Sequence, residues 1–128
     1  MPVRSLNTSV LAWPKKSSVE SALKSWARMC ADSTPELLAV GYIGSYARGD
    51  WGVGSDVDVV LVLEKSDVPF ERRALAFDTM ELPVPADMLV YTRKEFTDLL
   101  ARGGRFAATI RREIAWAWQR AGSPGLSG

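Results

Sequence analysis

Apolar positions along the chain fall into two rhythms, one near 3.6 residues and one of two, and they alternate from segment to segment. Val19, Leu23, Trp26, Ala27 and Cys30 recur at helical spacing and mark one buried stripe ending near Asp32. Ser17 followed by Glu20 reads as a capping box opening that helix. Cys30 lies on the stripe and reads as a core residue, since free cysteine is among the most buried residue types. Leu37 to Ile43 is a short apolar run halted by Gly44-Ser45, the profile of a buried strand. Ser45 to Gly49 fits one helical turn, and Asp50 to Ser55 is a glycine-punctuated loop. Val57 to Leu63, rich in β-branched residues, predicts a second strand. Phe70 to Phe77 predicts a helix, Val84 to Tyr91 a third strand beside Pro83 and Pro85, and Lys94 to Ala101 a helix stopped by Gly103-Gly104. Phe106, Ile110, Ile114, Ala117 and Trp118 form the apolar stripe of a last helix. Strands interleaved with helices predict an α+β fold (α/β mixed sheet), a short mixed β-sheet flanked by helices.

At 128 residues the chain has the size of one domain. The expected division is an N-terminal extension over residues 1–16, one domain over 17–120 and a tail over 121–128. The tail, AGSPGLSG, is expected to fray. Hydrophobic content of 47% with 24% charged residues suits a soluble globular protein. No apolar run approaches the roughly eighteen residues of a membrane span, and the first residues lack the continuous apolar stretch of a secretory signal. The expected location is therefore cytoplasmic.

Two absences narrow the chemistry. The chain has no histidine, so the commonest general base and zinc ligand is missing. It has one cysteine, which excludes a disulfide framework and a multi-cysteine metal site within one chain. What remains is carboxylates, hydroxyls, backbone amides and basic side chains, a set suited to a hard cation. Charge is uneven: residues 1–90 carry nine Lys/Arg against twelve Asp/Glu, and residues 91–128 carry seven against three. The basic C-terminal region either faces an anionic ligand or is a solvated helix surface. It lacks the strongly basic character of a duplex-binding module, so nucleic acid is not the expected partner.

The informative segment is GSYARGDWGVGSDVD, Gly44 to Asp58. Gly44 allows close backbone approach to a ligand. Ser45 opens a turn whose free amides and hydroxyl suit a phosphate. Arg48, one turn on, reaches the same side. After ten intervening residues Ser45 is followed by Asp56 and Asp58, two apart and so on one face of a strand. Adjacent carboxylates repel unless a cation lies between them, and Mg²⁺ with phosphate oxygens is the natural occupant. Asp87 stands alone in the apolar stretch VPADMLVYT. If that strand pairs beside Val57–Leu63, Asp87 joins the other two and completes a two-metal site for in-line displacement at phosphorus.

Gly-Ser, ten residues, then Asp-any-Asp resembles the signature of the DNA polymerase β-like nucleotidyltransferase superfamily. More closely, GSYARGDWGVGSDVDVVLVL is similar to the minimal nucleotidyltransferases of bacteria and archaea, and RREIAWAW resembles how those chains end. The likeness covers roughly residues 37 to 118. It implies that Gly44 and Ser45 contact a triphosphate and that Asp56 and Asp58 bind metals. Asp87 would complete the site as a third metal ligand and help activate an acceptor hydroxyl. Arg48 and Ser55 complete the expected nucleotide-binding set. Larger members carry an extra acceptor-binding domain for which this chain has no room, so the expected acceptor is small or is brought by a partner.

Minimal nucleotidyltransferases commonly resemble the antitoxin of a two-gene pair whose toxin is a helical HEPN-type ribonuclease. The resemblance then implies two Mg²⁺ ions, ATP as substrate, and transfer of AMP to a toxin tyrosine. A non-catalytic toxin-binding module, and transfer to a small molecule or an RNA end, remain open at this stage. So do the roles of Trp116, which falls outside the last stripe, and Trp51 in the glycine-rich loop. Each either packs on the domain's own surface or contacts a partner, and Trp51 has the further option of covering the nucleotide.

Overall fold

The computed structural model describes residues 13–122. Its elements in chain order are α1 (Lys16–Ser33), β1 (Leu37–Ile43), α2 (Ser45–Arg48), β2 (Val57–Leu63), α3 (Phe70–Arg73) continued by a 3₁₀ turn (Ala74–Ala76), β3 (Ala86–Thr92), α4 (Arg93–Arg102), α5 (Arg105–Glu113) and β4 (Ala115–Gln119). The strands form one sheet in the order β3-β2-β1-β4. β1 runs antiparallel to both β2 and β4, and β2 runs parallel to β3. The expected mixed sheet flanked by helices is what forms.

β1 and β2 are central and buried on both faces, which explains why they read as continuous apolar runs. Val57, Val59, Leu61 and Leu63 of β2 join the cluster under α1, where Val19, Leu23, Trp26 and Ala27 form the helix's buried stripe. Val60 and Val62 point the other way, toward Phe96 of α4 and Ile110 of α5. The sheet is thus covered on one face by α1 and on the other by α4 and α5. Among the described residues, no helix is long and apolar enough to cross a membrane.

Three local expectations need correction. The last stripe is not one helix: α5 ends at Glu113, and Ala115–Gln119 is an edge strand beside β1. Ile114 and Trp116 face α4 and α5, while Ala115 and Ala117 face α1. A register shift between Val40 and Gly41 then turns Trp118 to the α1 side as well. The open edge of β1 needs a partner for its backbone groups, and this outweighs the helical spacing of Ile114, Ala117 and Trp118. Gly41 makes the pairing possible, because a Cβ there would lie 2.9 Å from Trp116 Cε3 and 3.1 Å from the Ala115 carbonyl oxygen.

Ser17 and Glu20 form no capping box. α1 starts at Lys16, its N-cap Lys15 makes no side-chain cap bond, and Glu20 instead accepts a hydrogen bond from the Tyr42 hydroxyl. The box occurs at α4, where Thr92 accepts from the Glu95 amide and Glu95 accepts from the Thr92 amide. The helix expected over Phe70–Phe77 forms over Phe70–Ala76, as one α turn continued by a 3₁₀ turn, whereas β3 starts two residues later than expected. Most of the expected N-terminal extension, residues 1–12, and of the tail, residues 123–128, lies outside the described residues.

Candidate active site

The site forms where β1 ends and β2 begins. At Gly44 the backbone has φ 91°, a conformation that L side chains rarely adopt. A Cβ there would also stand 2.7 Å from Asp58 Oδ2. Glycine is therefore required twice over, once by conformation and once by the carboxylate packed against it. The single turn of α2 follows, closed by Gly49 in the left-handed region, whose amide donates to the Ser45 carbonyl at 2.9 Å. Ser45 opens that turn directly beside Gly44.

The parallel pairing of β2 with β3 places Asp58 opposite Asp87, the neighbouring strand arrangement on which the third carboxylate depended. Asp56 lies two residues before Asp58, and one carboxylate oxygen from each of the three falls within 4.8 Å of the others. Asp56 and Asp87 are exposed and Asp58 is half-buried. Burial, followed by repulsion from Asp56 and Asp87, holds the Asp58 carboxyl above the usual carboxylate range, with Arg48 opposing and Glu113 adding to it. Three hard oxygen donors around a shared point, one of them only partly relieved of its neighbours' repulsion by Arg48, fit a divalent cation of the magnesium class. The cation would be held by Asp56, Asp58 and Asp87.

Arg48 is held by two acids. Its Nε donates to Asp50 Oδ2 at 3.0 Å and its Nη1 to Glu113 Oε1 at 3.3 Å. The same Glu113 oxygen accepts the Gly44 amide at 3.1 Å, so Arg48 is joined to the turn through this acid. Ser55 plays a different local part: its hydroxyl accepts the Gly52 amide at 2.9 Å and its own amide donates to the Gly52 carbonyl at 3.0 Å. That ties the glycine-rich loop into a turn.

Trp51 stacks on Tyr46 with ring centroids 5.6 Å apart and planes 7° from parallel. Trp116 packs edge-on against Phe96 at 5.9 Å. Both indoles thus rest on the domain's own side chains.

Two contributions to the site escaped sequence reasoning. Glu113 was visible only as part of RREIAWAW, with no spacing that links it to Gly44. The segment entering α1 also braces the site: Trp13 Nε1 donates to the Ser55 carbonyl at 3.3 Å, Tyr46 to the Pro14 carbonyl at 2.8 Å, and Lys16 to the Ala47 carbonyl at 3.2 Å. No local pattern marks these contacts. The groove lined by Leu63, Lys65, Val68, Arg72 and Phe77 lies at the other end of β2 and includes none of the three aspartates.

A nucleotidyltransferase domain family matches residues 24–114. None of the curated proteins matches the chain significantly. Among solved structures, a candidate nucleotidyltransferase from Sulfolobus solfataricus is similar at 20% identity and TM-score 0.61, over 84% of this chain and 86% of that one. A toxin–antitoxin complex with AMP-PNP is similar at 16% identity and TM-score 0.48, over 80% of this chain and 74% of that one. A mutant of the toxin–antitoxin MntA-HpeT is similar at 14% identity and TM-score 0.45, with the same coverage. The likeness to the Sulfolobus protein is one of fold, and the family match spans most of the chain, including the turn and all three aspartates. The protein therefore belongs to the nucleotidyltransferase domain family.

Proposed function

We propose that this protein is a Mg²⁺-dependent nucleotidyltransferase that transfers AMP from ATP to a hydroxyl, the acceptor being a tyrosine of a HEPN-type toxin. The observation that carries the proposal is the convergence of Asp56, Asp58 and Asp87 within 4.8 Å, beside the Gly44–Ser45 turn. In this reading Asp56 and Asp58 hold divalent metal, and Asp87 completes the set and orients the acceptor hydroxyl. Metal held there would supply charge neutralisation to the triphosphate during transfer. Ser45 and Arg48 bind the triphosphate, Ser45 through its hydroxyl and amide and Arg48 through its guanidinium. The acceptor oxygen bonds to the α-phosphorus as the bond to pyrophosphate breaks, and the hydroxyl proton passes to a carboxylate of the cluster. The toxin assignment rests on the resemblance of the Gly44–Leu63 segment and of RREIAWAW to minimal nucleotidyltransferases.

The test is incubation with labelled ATP and Mg²⁺, alone and with a candidate HEPN-type toxin, comparing wild type with Asp56→Asn/Asp58→Asn. Label on the toxin with wild type only is the expected result. Metal-dependent ATP binding without transfer to the toxin would reassign the acceptor to a small molecule or an RNA end. Neutralisation of the toxin by a variant that binds no ATP would replace the enzyme with a binding module.

A further inference from the structure

Glu113 is the last residue of α5, its side chain is only 8% exposed, and the reaction outlined above does not use it. A carboxylate is costly to bury unless it is paired and hydrogen-bonded. Both of its hydrogen-bond partners belong to the nucleotide-binding turn. Oε1 accepts the Gly44 amide at 3.1 Å, and Arg48 Nη1 lies 3.3 Å from Oε1 and 3.4 Å from Oε2. Arg112, 3.8 Å from Oε2, has an exposed side chain and adds a screened charge.

This arrangement assigns the donors around the turn. The Gly44 amide is engaged by Glu113 and so is not the amide offered to phosphate. Gly44 serves instead by leaving room for Asp58. Arg48 is half-exposed and would otherwise sample many rotamers, but Glu113 and Asp50 grip it at Nη1 and Nε. A guanidinium carries five N–H donors in a rigid fork, so fixing it at Nε and Nη1 aims the remaining donors and reduces the ordering cost of binding. A second reading makes Glu113 a stand-in anion that the triphosphate expels. Against it, the backbone around Glu113 is pinned: Ile114 donates to the Ile110 carbonyl at 2.9 Å and Ala115 pairs with Tyr42 of β1.

We infer that Glu113 is a positioning residue for nucleotide binding, fixing the Gly44 turn and aiming Arg48 at the triphosphate without touching the reacting atoms. The inference rests on the nucleotidyl-transfer reading above. Its test is calorimetric titration of ATP in the presence of Mg²⁺ into the full chain. The set comprises wild type, Glu113→Gln, Glu113→Ala, Arg48→Met, Glu113→Ala/Arg48→Met and Asp56→Asn/Asp58→Asn. Glu113→Ala should weaken binding roughly tenfold, the scale of one charge-assisted hydrogen bond. Glu113→Gln, isosteric and still able to accept from Gly44, should lose less. The double Glu113/Arg48 variant should lose less than the sum of the two single losses, because part of each acts through the shared Glu113–Arg48 contact. Thermal melts identify any variant that fails to fold, and the isosteric Gln carries the test in that case. ATP binding equal to or tighter than wild type in both Glu113 variants overturns the inference, as do losses at Glu113 and Arg48 that simply add. If wild type binds no ATP with Mg²⁺, the nucleotidyl-transfer reading fails and this role fails with it. If wild type binds, the Asp56/Asp58 variant does not, and the Glu113 variants match wild type, only the role of Glu113 is lost.

Discussion

Asp58 of β2 and Asp87 of β3 stand opposite one another in register across a parallel pair of strands, with Asp56 two residues before Asp58. Parallel pairing points both side chains to one face, so the fold itself brings these acids together. Burial first, and then repulsion from Asp56 and Asp87, holds the Asp58 carboxyl above its usual range.

Mg²⁺ should therefore raise the melting temperature of wild type and leave Asp56→Asn/Asp58→Asn unmoved, because only the intact cluster binds the ion in preference to the unfolded chain. Without metal, Asp58→Asn should melt about 2–6 °C higher than wild type. The sign follows from the raised carboxyl: folding disfavours its charged form, so stability contributed by this group rises as pH falls through its folded-state range. Scanning calorimetry with and without Mg²⁺ measures both effects. A metal-free Asp58→Asn that melts below wild type would refute the repulsion argument.

Gly44→Ala should abolish nucleotide transfer and destabilise the protein by about 1–3 kcal/mol. The new methyl meets Asp58 Oδ2 at 2.7 Å, and the backbone is held at φ 91°. Denaturant titration reads the stability. Mg²⁺ binding that survives at wild-type strength would show that Asp58 had room to move.

Arg73 is a buried cation held by Glu95 through two short bonds, 2.6 Å and 3.1 Å, and by the carbonyls of Val68 and Val90. Hydrogen bonds from Arg73 lead in holding the Glu95 carboxyl down at about 2, against an ordinary 4.5. A depressed carboxyl contributes stability that is fully present above its unfolded value and is lost as pH falls through the folded one. Acid titration of wild type should thus lose this contribution between about pH 4.5 and 2. Glu95→Gln should be flatter there and less stable at neutral pH by about 1–3 kcal/mol, a range reduced from that of a fully buried pair because Glu95 is partly exposed. Parallel acid profiles of the two proteins that never converge would contradict the assignment.

Gly41→Val should loosen β4 from β1 at a cost of about 1–3 kcal/mol. Its Cβ would lie 2.9 Å from Trp116 Cε3. Hydrogen exchange at Trp116 and Trp118 should speed up more than at β2, and uniform change across the sheet would argue against a local clash.

The amino-acid sequence by itself determined the parts of this protein whose physics is local. The stripe of α1, the apolar runs of β1 and β2 and the glycine-punctuated turn between them were legible because spacing and residue type alone dictate them. Asp56 and Asp58 were legible as a pair because a strand's two-residue repeat places them on one face. The tertiary structure decided everything that depends on a neighbour distant in the chain. Asp87 needed β3 to lie parallel to β2 in a particular register. The segment after Glu113 read as a continuing helix, since Ile114, Ala117 and Trp118 recur at helical spacing. The unfilled edge of β1 chose the strand. The same choice ends α5 at Glu113 and anchors that acid beside Gly44, 69 residues away in sequence. A hydrogen-bonding edge and a buried charge are satisfied by whichever group the fold delivers, and no local pattern announces that group in advance.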